Sequence, residues 1–355
     1  MKRDYSLVGS DSELAEKNGL ASATWYAAAI PRKRLKELMR RRDGPAIRDT
    51  LIWFSALGIS GYLGYLNWGT WWAVPCFAVY GVLYGSACDS RWHECGHGTA
   101  FKTDWMNNVV YHIGSFMVLR ESTSWRWSHQ RHHTDTIIVG RDPEIAVPRP
   151  PDIPGILMNF LYIKGGYYEL RKTVIHSTGR LTKDEETYVP AAERASVYRT
   201  ARVYLAIYLG FIAWAVAIRS FLPLMYVLLP SFYGAWLMIV YGLTQHAGLA
   251  EDVLDHRLNC RTVMMNPINR FLYWNMNYHV EHHMYPMVPY HALPQLHEEL
   301  KADLPKPYPS IWAAYREIIP TLLRQRKDPR YFVKRELPPS ASPLSFDGAA
   351  TAPET

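Results

Sequence analysis

The chain is poor in cysteine, with Cys76, Cys88, Cys95 and Cys260 the only four in 355 residues and no CxxC pair among them. That excludes a disulfide framework and a thiolate zinc site, and it fits reduced, cytoplasm-type thiols. Charge is missing over one long stretch: the 39 residues 50–88 hold no Asp, Glu, Lys, Arg or His. The opening MKRDYSLVGSDSELAEKNG has no apolar core behind its charges, so no cleaved signal peptide is expected. A basic balance of +7 raises the question of nucleic acid. The cations, however, crowd into PRKRLKELMRRR at 31–42 instead of spreading along a groove, which argues against it.

One bilayer crossing takes about 20 residues. The charge-free run is therefore two crossings, about 50–66 and 71–88, joined by a turn at NWGT, 67–70. Trp68, Trp71 and Trp72 fall at the far interface, where amphipathic rings are favoured. A second pair is read at about 203–218 and 224–244. The mean hydropathy of −0.17 suits a few spans carrying a large water-facing part. With the basic flank at 31–42 on the cytoplasmic side, both hairpins begin and end there. The expected fold is all-α: four transmembrane helices in two hairpins under a cytoplasmic helical cap. Residues 1–30 are read as a partly disordered tail, 31–335 as one membrane domain, and 336–355 as a disordered tail. Residues 156–176 read as an amphipathic helix lying on the bilayer.

What the chain does have is histidine, 14 in all, and in clusters. HECGH at 93–97, HQRHH at 129–133 and NMNYHVEHH at 275–283 repeat one grammar. Helical residues three and four apart share a face. His93 then sits beside His97, His129 beside His132 and His133, and His279 beside His282 and His283. His246, at the cytoplasmic exit of the fourth span, is a ninth. The topology puts all nine on one side of the membrane. Imidazole suits Zn, Cu, Fe and Ni. Nine nitrogens are too many for one tetrahedral ion and serve two ions at four or five each.

A ligating imidazole usually gives its other N–H to a carboxylate or carbonyl. Candidates for that role are Glu94, Glu281, Asp89, Asp135 and Asp142. Asn275, read as one helical turn before His279, is the best non-histidine candidate to touch a metal or its water. His112, His176, His256, His291 and His297 are read as structural, His112 and His256 least firmly.

The three boxes with paired membrane hairpins resemble the membrane fatty-acid desaturase and hydroxylase superfamily over residues 45 to 300. The resemblance implies a non-haem centre of two iron ions, dioxygen as cosubstrate, and two electrons from a redox partner. It also matches His246 and Asn275 to positions the family uses. The stretch from Asn259 to Leu300 resembles a bacterial branch that includes a dihydrorhizobitoxine desaturase-like group, implying an inner-membrane enzyme. No fused cytochrome b5 domain and no HPGG haem motif are present. Electrons are therefore expected from a separate protein such as ferredoxin or rubredoxin with its reductase, docking on the basic cytoplasmic face.

Two irons with dioxygen can abstract hydrogen from an unactivated C–H bond, leaving a double bond or, with oxygen rebound, an alcohol. The expectation is an oxidoreductase of the fatty acid desaturase type acting on a lipid or acyl substrate. The alternatives are a hydroxylase or monooxygenase of an alkyl or lipid substrate, or a desaturase of a small amino-acid-derived compound. The aromatic segments 115–127 and 269–276 are candidate walls of an acyl tunnel. A metal transporter would hold ligands at the bilayer midplane, where these spans carry none. A zinc-dependent membrane hydrolase is distinguished by turnover without oxygen.

Overall fold

The computed structural model describes residues 3–343. It is all-α among those residues, with no strand and only two isolated bridges, Thr262 with Tyr278 and Val263 with Tyr308. The charge-poor sequence has little to satisfy its backbone except itself, so it coils. The helix Asp43–Leu66 is 24 residues long, about 36 Å at 1.5 Å per residue. Gly69, at φ +86, closes the turn that follows. The chain then returns through Ala73–Gly81, a π-helical turn Val82–Ser86, and Ala87–Gly96, which carries the first box.

A π turn widens the helix and frees carbonyls. Here Trp53 Nε1 donates to Leu83 O at 2.8 Å, and Ser86 Oγ donates to Gly234 O while accepting from Met238 N. The widened turn is thus the point where the first hairpin grips the last apolar segment.

That segment differs from the single span read at 224–244. After the helix Arg194–Ala217 it runs as three short helices, Leu222–Tyr226, Pro230–Tyr233 and Trp236–His246. Pro223 and Pro230 lack an N–H to continue a helix, and Leu228 sits at φ +80. Gly234 presses on Gly81 so closely that a Cβ would meet the Gly81 carbonyl oxygen at 1.8 Å. One helical stretch, Ala191–Ala217, is long and apolar enough by itself to cross a membrane.

The N-terminal tail differs from expectation within the described residues. Ser10–Lys17 is a helix, and Leu7, Ala15, Leu20 and Ala28 are buried. Arg3 pairs with Glu251 at 2.6 Å and Asp252 at 2.8 Å. Sequence reasoning weighed the polarity of this segment and had no view of the acids at 251–252 that hold it. At the other end Ser342 N donates to Asp303 at 2.7 Å, and Ser342 O accepts from Arg257 at 3.1 Å. Residues 344–355 lie outside the described part.

The largest core packs Trp53, Phe77, Tyr80, Trp92, Tyr111 and Trp274 between the first hairpin and the broken segment. A second core, with Leu38, Val280, Leu293 and Leu296, backs the third box.

Candidate metal centre

Each box arrives by a different local device. The first rides on Ala87–Gly96, fixed by the fully buried Arg91. Its guanidinium donates to Ala87 O at 2.8 Å, Leu272 O at 2.7 Å and Phe271 O at 3.0 Å. It also lies 5.2, 5.1 and 5.0 Å from the rings of Trp53, Phe271 and Trp274. One side chain therefore ties the first box to the chain entering the third.

The second box rides on Ser122–Thr134, whose N-terminus is capped by Glu121 accepting from Thr123 N and Ser124 N. An acid there meets the orphan N–H groups and the positive end of the helix. The third box forms a helix of only six residues, His279–Met284. It is seated by the bridge at Thr262 and Tyr278, with Val263 N donating to Asn277 O and Asn277 Nδ2 donating to Val263 O.

The nine histidines fall into two groups: His93, His97, His129, His133 and His282, and His132, His246, His279 and His283. Residues four apart stay together, as His129 with His133 and His279 with His283. The middle histidine of each HxxHH box crosses to the other group. All are buried or half-buried.

The donor atoms converge. His97 and His129 Nε2 are 3.1 Å apart, His129 and His133 3.2 Å, and His133 and His282 3.2 Å. In the second group His246 and His279 Nε2 are 2.9 Å apart, and His279 and His283 3.0 Å. A cation with M–N bonds of about 2.0–2.1 Å spaces neighbouring right-angle donors at about 3 Å. His93 is buried with neither ring nitrogen hydrogen-bonded, a cost that a ligated ion removes.

Four of the outward nitrogens are held. His129 Nδ1 lies 3.0 Å from Glu144, His132 Nδ1 2.8 Å from Asp142, and His246 Nδ1 donates to Asn259 O at 2.8 Å. His283 Nδ1 is 3.2 Å from Thr136 Oγ1. These partners keep the Nδ1 proton outward and the Nε2 lone pair inward.

Burial, and then the neighbouring imidazoles, push His93, His97, His133, His246, His279, His282 and His283 well below the usual histidine range, so they are neutral donors. His132 goes up instead, because the Asp142 carboxylate outweighs its burial. Burial opposes the charge of Glu144, yet His129 brings it down to about 2. Glu94 is pushed up to about 8 by burial, partly offset by bonds from Tyr290 N and Thr99.

The other candidates are placed as follows. Asp142 holds His132, whereas Asp89 pairs with Arg120 at 2.6 Å. Glu94 Oε1 is 3.7 Å from His282 Nδ1. Glu281 turns away to Thr262 and His297. Asp135 pairs with Arg131 and Arg141.

Asn275 is a correction. The helix begins only at His279, and Asn275 sits in a left-handed turn at φ +55, so it does not share a face with that histidine. Its amide donates to Tyr290 O and accepts from Arg270 Nε.

Sequence reasoning missed Glu144, Thr136 and Asn259. Glu144 lies in the proline-rich loop 141–155, and nothing local marks it. His256 stands nearer the site than a purely structural reading suggests. It forms a small buried group with Cys260 and His283 and is stacked on Trp25.

The constellation defines a protein with two histidine groups built to hold metal, and the sequence places it further. The chain belongs to the fatty acid desaturase family, whose model matches residues 23–315. It is similar to a Delta(5) fatty acid desaturase of Caenorhabditis elegans, 26% identical over 229 residues, covering 57% of this chain and 51% of that protein. An sn-1 oleoyl-lipid 12-desaturase of Synechocystis sp. is 31% identical over 106 residues, 28% of each chain. A Delta(12) fatty acid desaturase of C. elegans is 32% identical over 82 residues, 23% of this chain and 19% of that protein. The chain spans about half the length of the first of these relatives and less of the others.

Proposed function

We propose that this chain is a membrane-bound, oxygen-dependent desaturase that introduces a double bond into an aliphatic acyl chain. The observation that carries the reading is the pair of histidine groups with inward Nε2 atoms about 3 Å apart. Five nitrogens in one group and four in the other suit two iron ions. When bound, the two irons supply the activation of dioxygen that C–H abstraction needs.

The chain's own part is to hold that pair. Glu144, Asp142 and the Asn259 carbonyl keep three rings in one tautomer. The buried surroundings keep water from competing. In the balanced reaction two hydrogens leave adjacent substrate carbons, two electrons and two protons enter, and dioxygen departs as two waters.

Membrane residence is supported by uncovered apolar surface. Leu51, Ile59, Tyr62 and Trp71 in the first hairpin, and Val203, Leu209, Trp214 and Val216 in the second, are more than half exposed. Surface of that kind in water is a liability that lipid removes. We read four spans in two hairpins, the fourth broken, in a bacterial inner membrane with the site on the cytoplasmic side. The basic segment 31–42 favours that orientation.

The electrons come from a separate carrier of the ferredoxin or rubredoxin kind with its reductase. Arg40, Arg41, Arg42 and Lys102 line one basic recess suited to an acidic partner. Mass spectrometry of lipids and small metabolites from a host expressing the wild type beside His282→Ala tests the reading. A new unsaturated product present only with the wild type is expected. An alcohol as the major product, or the same product from both, overturns it.

A further inference from the structure

A cavity of about 420 Å³ opens beside the histidine groups. Its inner wall includes Ser128, Glu144 and Gln245, next in sequence to or bonded to His129 and His246. Arg120 and Trp125 contribute from the aromatic segment 115–127, while none of 269–276 lines it.

A tunnel for bare hydrocarbon is lined by apolar side chains with a few placed polar groups. This cavity instead carries six carboxylates, Asp89, Asp142, Glu144, Glu169, Asp184 and Glu185, against two cations, Arg120 and Lys172. Both cations are already engaged. Arg120 pairs with Asp89 and lies 4.3 Å from the Trp125 ring; Lys172 pairs with Glu169 and lies 4.8 Å from the same ring.

The carboxylates are not used up. Asp89 spends only Oδ1 on Arg120, and Glu169 only Oε2 on Trp125 and Lys172. Glu185 spends Oε2 on His176 and Thr182. Its Oε1 is buried without a hydrogen bond, 3.8 Å from Lys172, on a residue 1% exposed. Asp89 Oδ2, Glu169 Oε1 and Glu185 Oε1 thus accept nothing among the described residues. Tyr162, Tyr168 and Tyr188 add ring faces to the same wall. Open carboxylate oxygens with aromatic faces are how proteins recognise an ammonium group.

We propose that the substrate carries an ammonium group, and that Asp89, Glu169 and Glu185 receive it in this cavity. The inference rests on the oxygen-dependent desaturase reading: an ethanolamine lipid keeps the acyl chain of that reading, and a soluble amine stands in its place. The ammonium belongs either to a small soluble amine or to an ethanolamine lipid headgroup.

Metal-loaded protein in nanodiscs is titrated calorimetrically with n-pentylamine, 1-pentanol and pentanoate. Pentylamine is expected to bind at least about tenfold more tightly than pentanol, the worth of one charge-assisted hydrogen bond. Asp89→Asn and Glu185→Gln are each expected to erase that preference while leaving the metal content unchanged. If one variant does not fold, the other decides.

Product analysis with a reductant then compares pentylamine-type substrates with phosphatidylethanolamine and phosphatidylglycerol nanodiscs. Turnover of free amines or of phosphatidylethanolamine supports the proposal and names the source. Equal binding of amine and alcohol, or a double bond formed equally in phosphatidylglycerol, overturns it while leaving the desaturase intact. Ammonium binding with no oxygen consumption on any substrate overturns the desaturase reading instead.

Discussion

Glu144 sits one residue past a proline, in a loop with no periodicity, and decides how His129 presents itself. Removing such a partner typically costs 10–100-fold in metal affinity. Glu144→Ala is expected to lose metal from the five-histidine group by about that factor in a chelator competition. His282→Ala is expected to lower bound iron toward one ion per chain, read by elemental analysis. Among the site residues, the histidines were legible because their spacing is a local signal. Asp142 was one of five acids picked for nearness to a box, and nearness alone did not separate it from Asp89, Asp135 and Glu281, which pair elsewhere. Glu144, Thr136 and Asn259 were not legible, since only the folded loops bring them to a ring nitrogen. Asn275 misled because a helix was extrapolated backwards through residues that turn left-handed.

Two ties between elements carry the geometry. Arg91 joins the first box helix to the segment before the third through three carbonyls. Arg91→Met removes three buried hydrogen bonds at about 1 kcal/mol each, with Ser90 Oγ still donating to Ala87 O and Leu272 O, so a lower melting temperature in detergent is expected. The helix Leu293–Leu300 backs the third box through His297, paired with Glu281. Burial alone would lower His297, but Glu281 overrides it and raises it above 6.5. A raised folded value means the pair's stabilisation is complete below 6.5 and is lost as pH rises through that value. His297→Gln is therefore expected to destabilise more at pH 6 than at pH 9 in paired thermal melts.

At the scale of the molecule, the cytoplasmic reading predicts which positions meet which solvent. An impermeant maleimide is expected to label Trp71→Cys from outside the cell and Lys36→Cys only after the membrane is opened. The all-α class was legible from the charge-free runs, because uninterrupted apolar sequence long enough to span has one backbone solution. The break in the fourth segment was not, although Pro223, Pro230 and Gly234 were in view. The prolines permit the break, and the close approach of Gly234 to Gly81, remote in sequence, accompanies it. The N-terminal tail was misjudged for a like reason, its anchors lying about 250 residues away from Arg3.

The interleaving of the boxes has a consequence for assembly. Because the second and third boxes each divide their rings between both groups, the two-ion reading proposed above predicts that the first ion to arrive rigidifies the helices that carry the second ion's donors. Loading is then expected to be cooperative, a metal titration of the empty protein passing from none to two ions with little of the singly filled form.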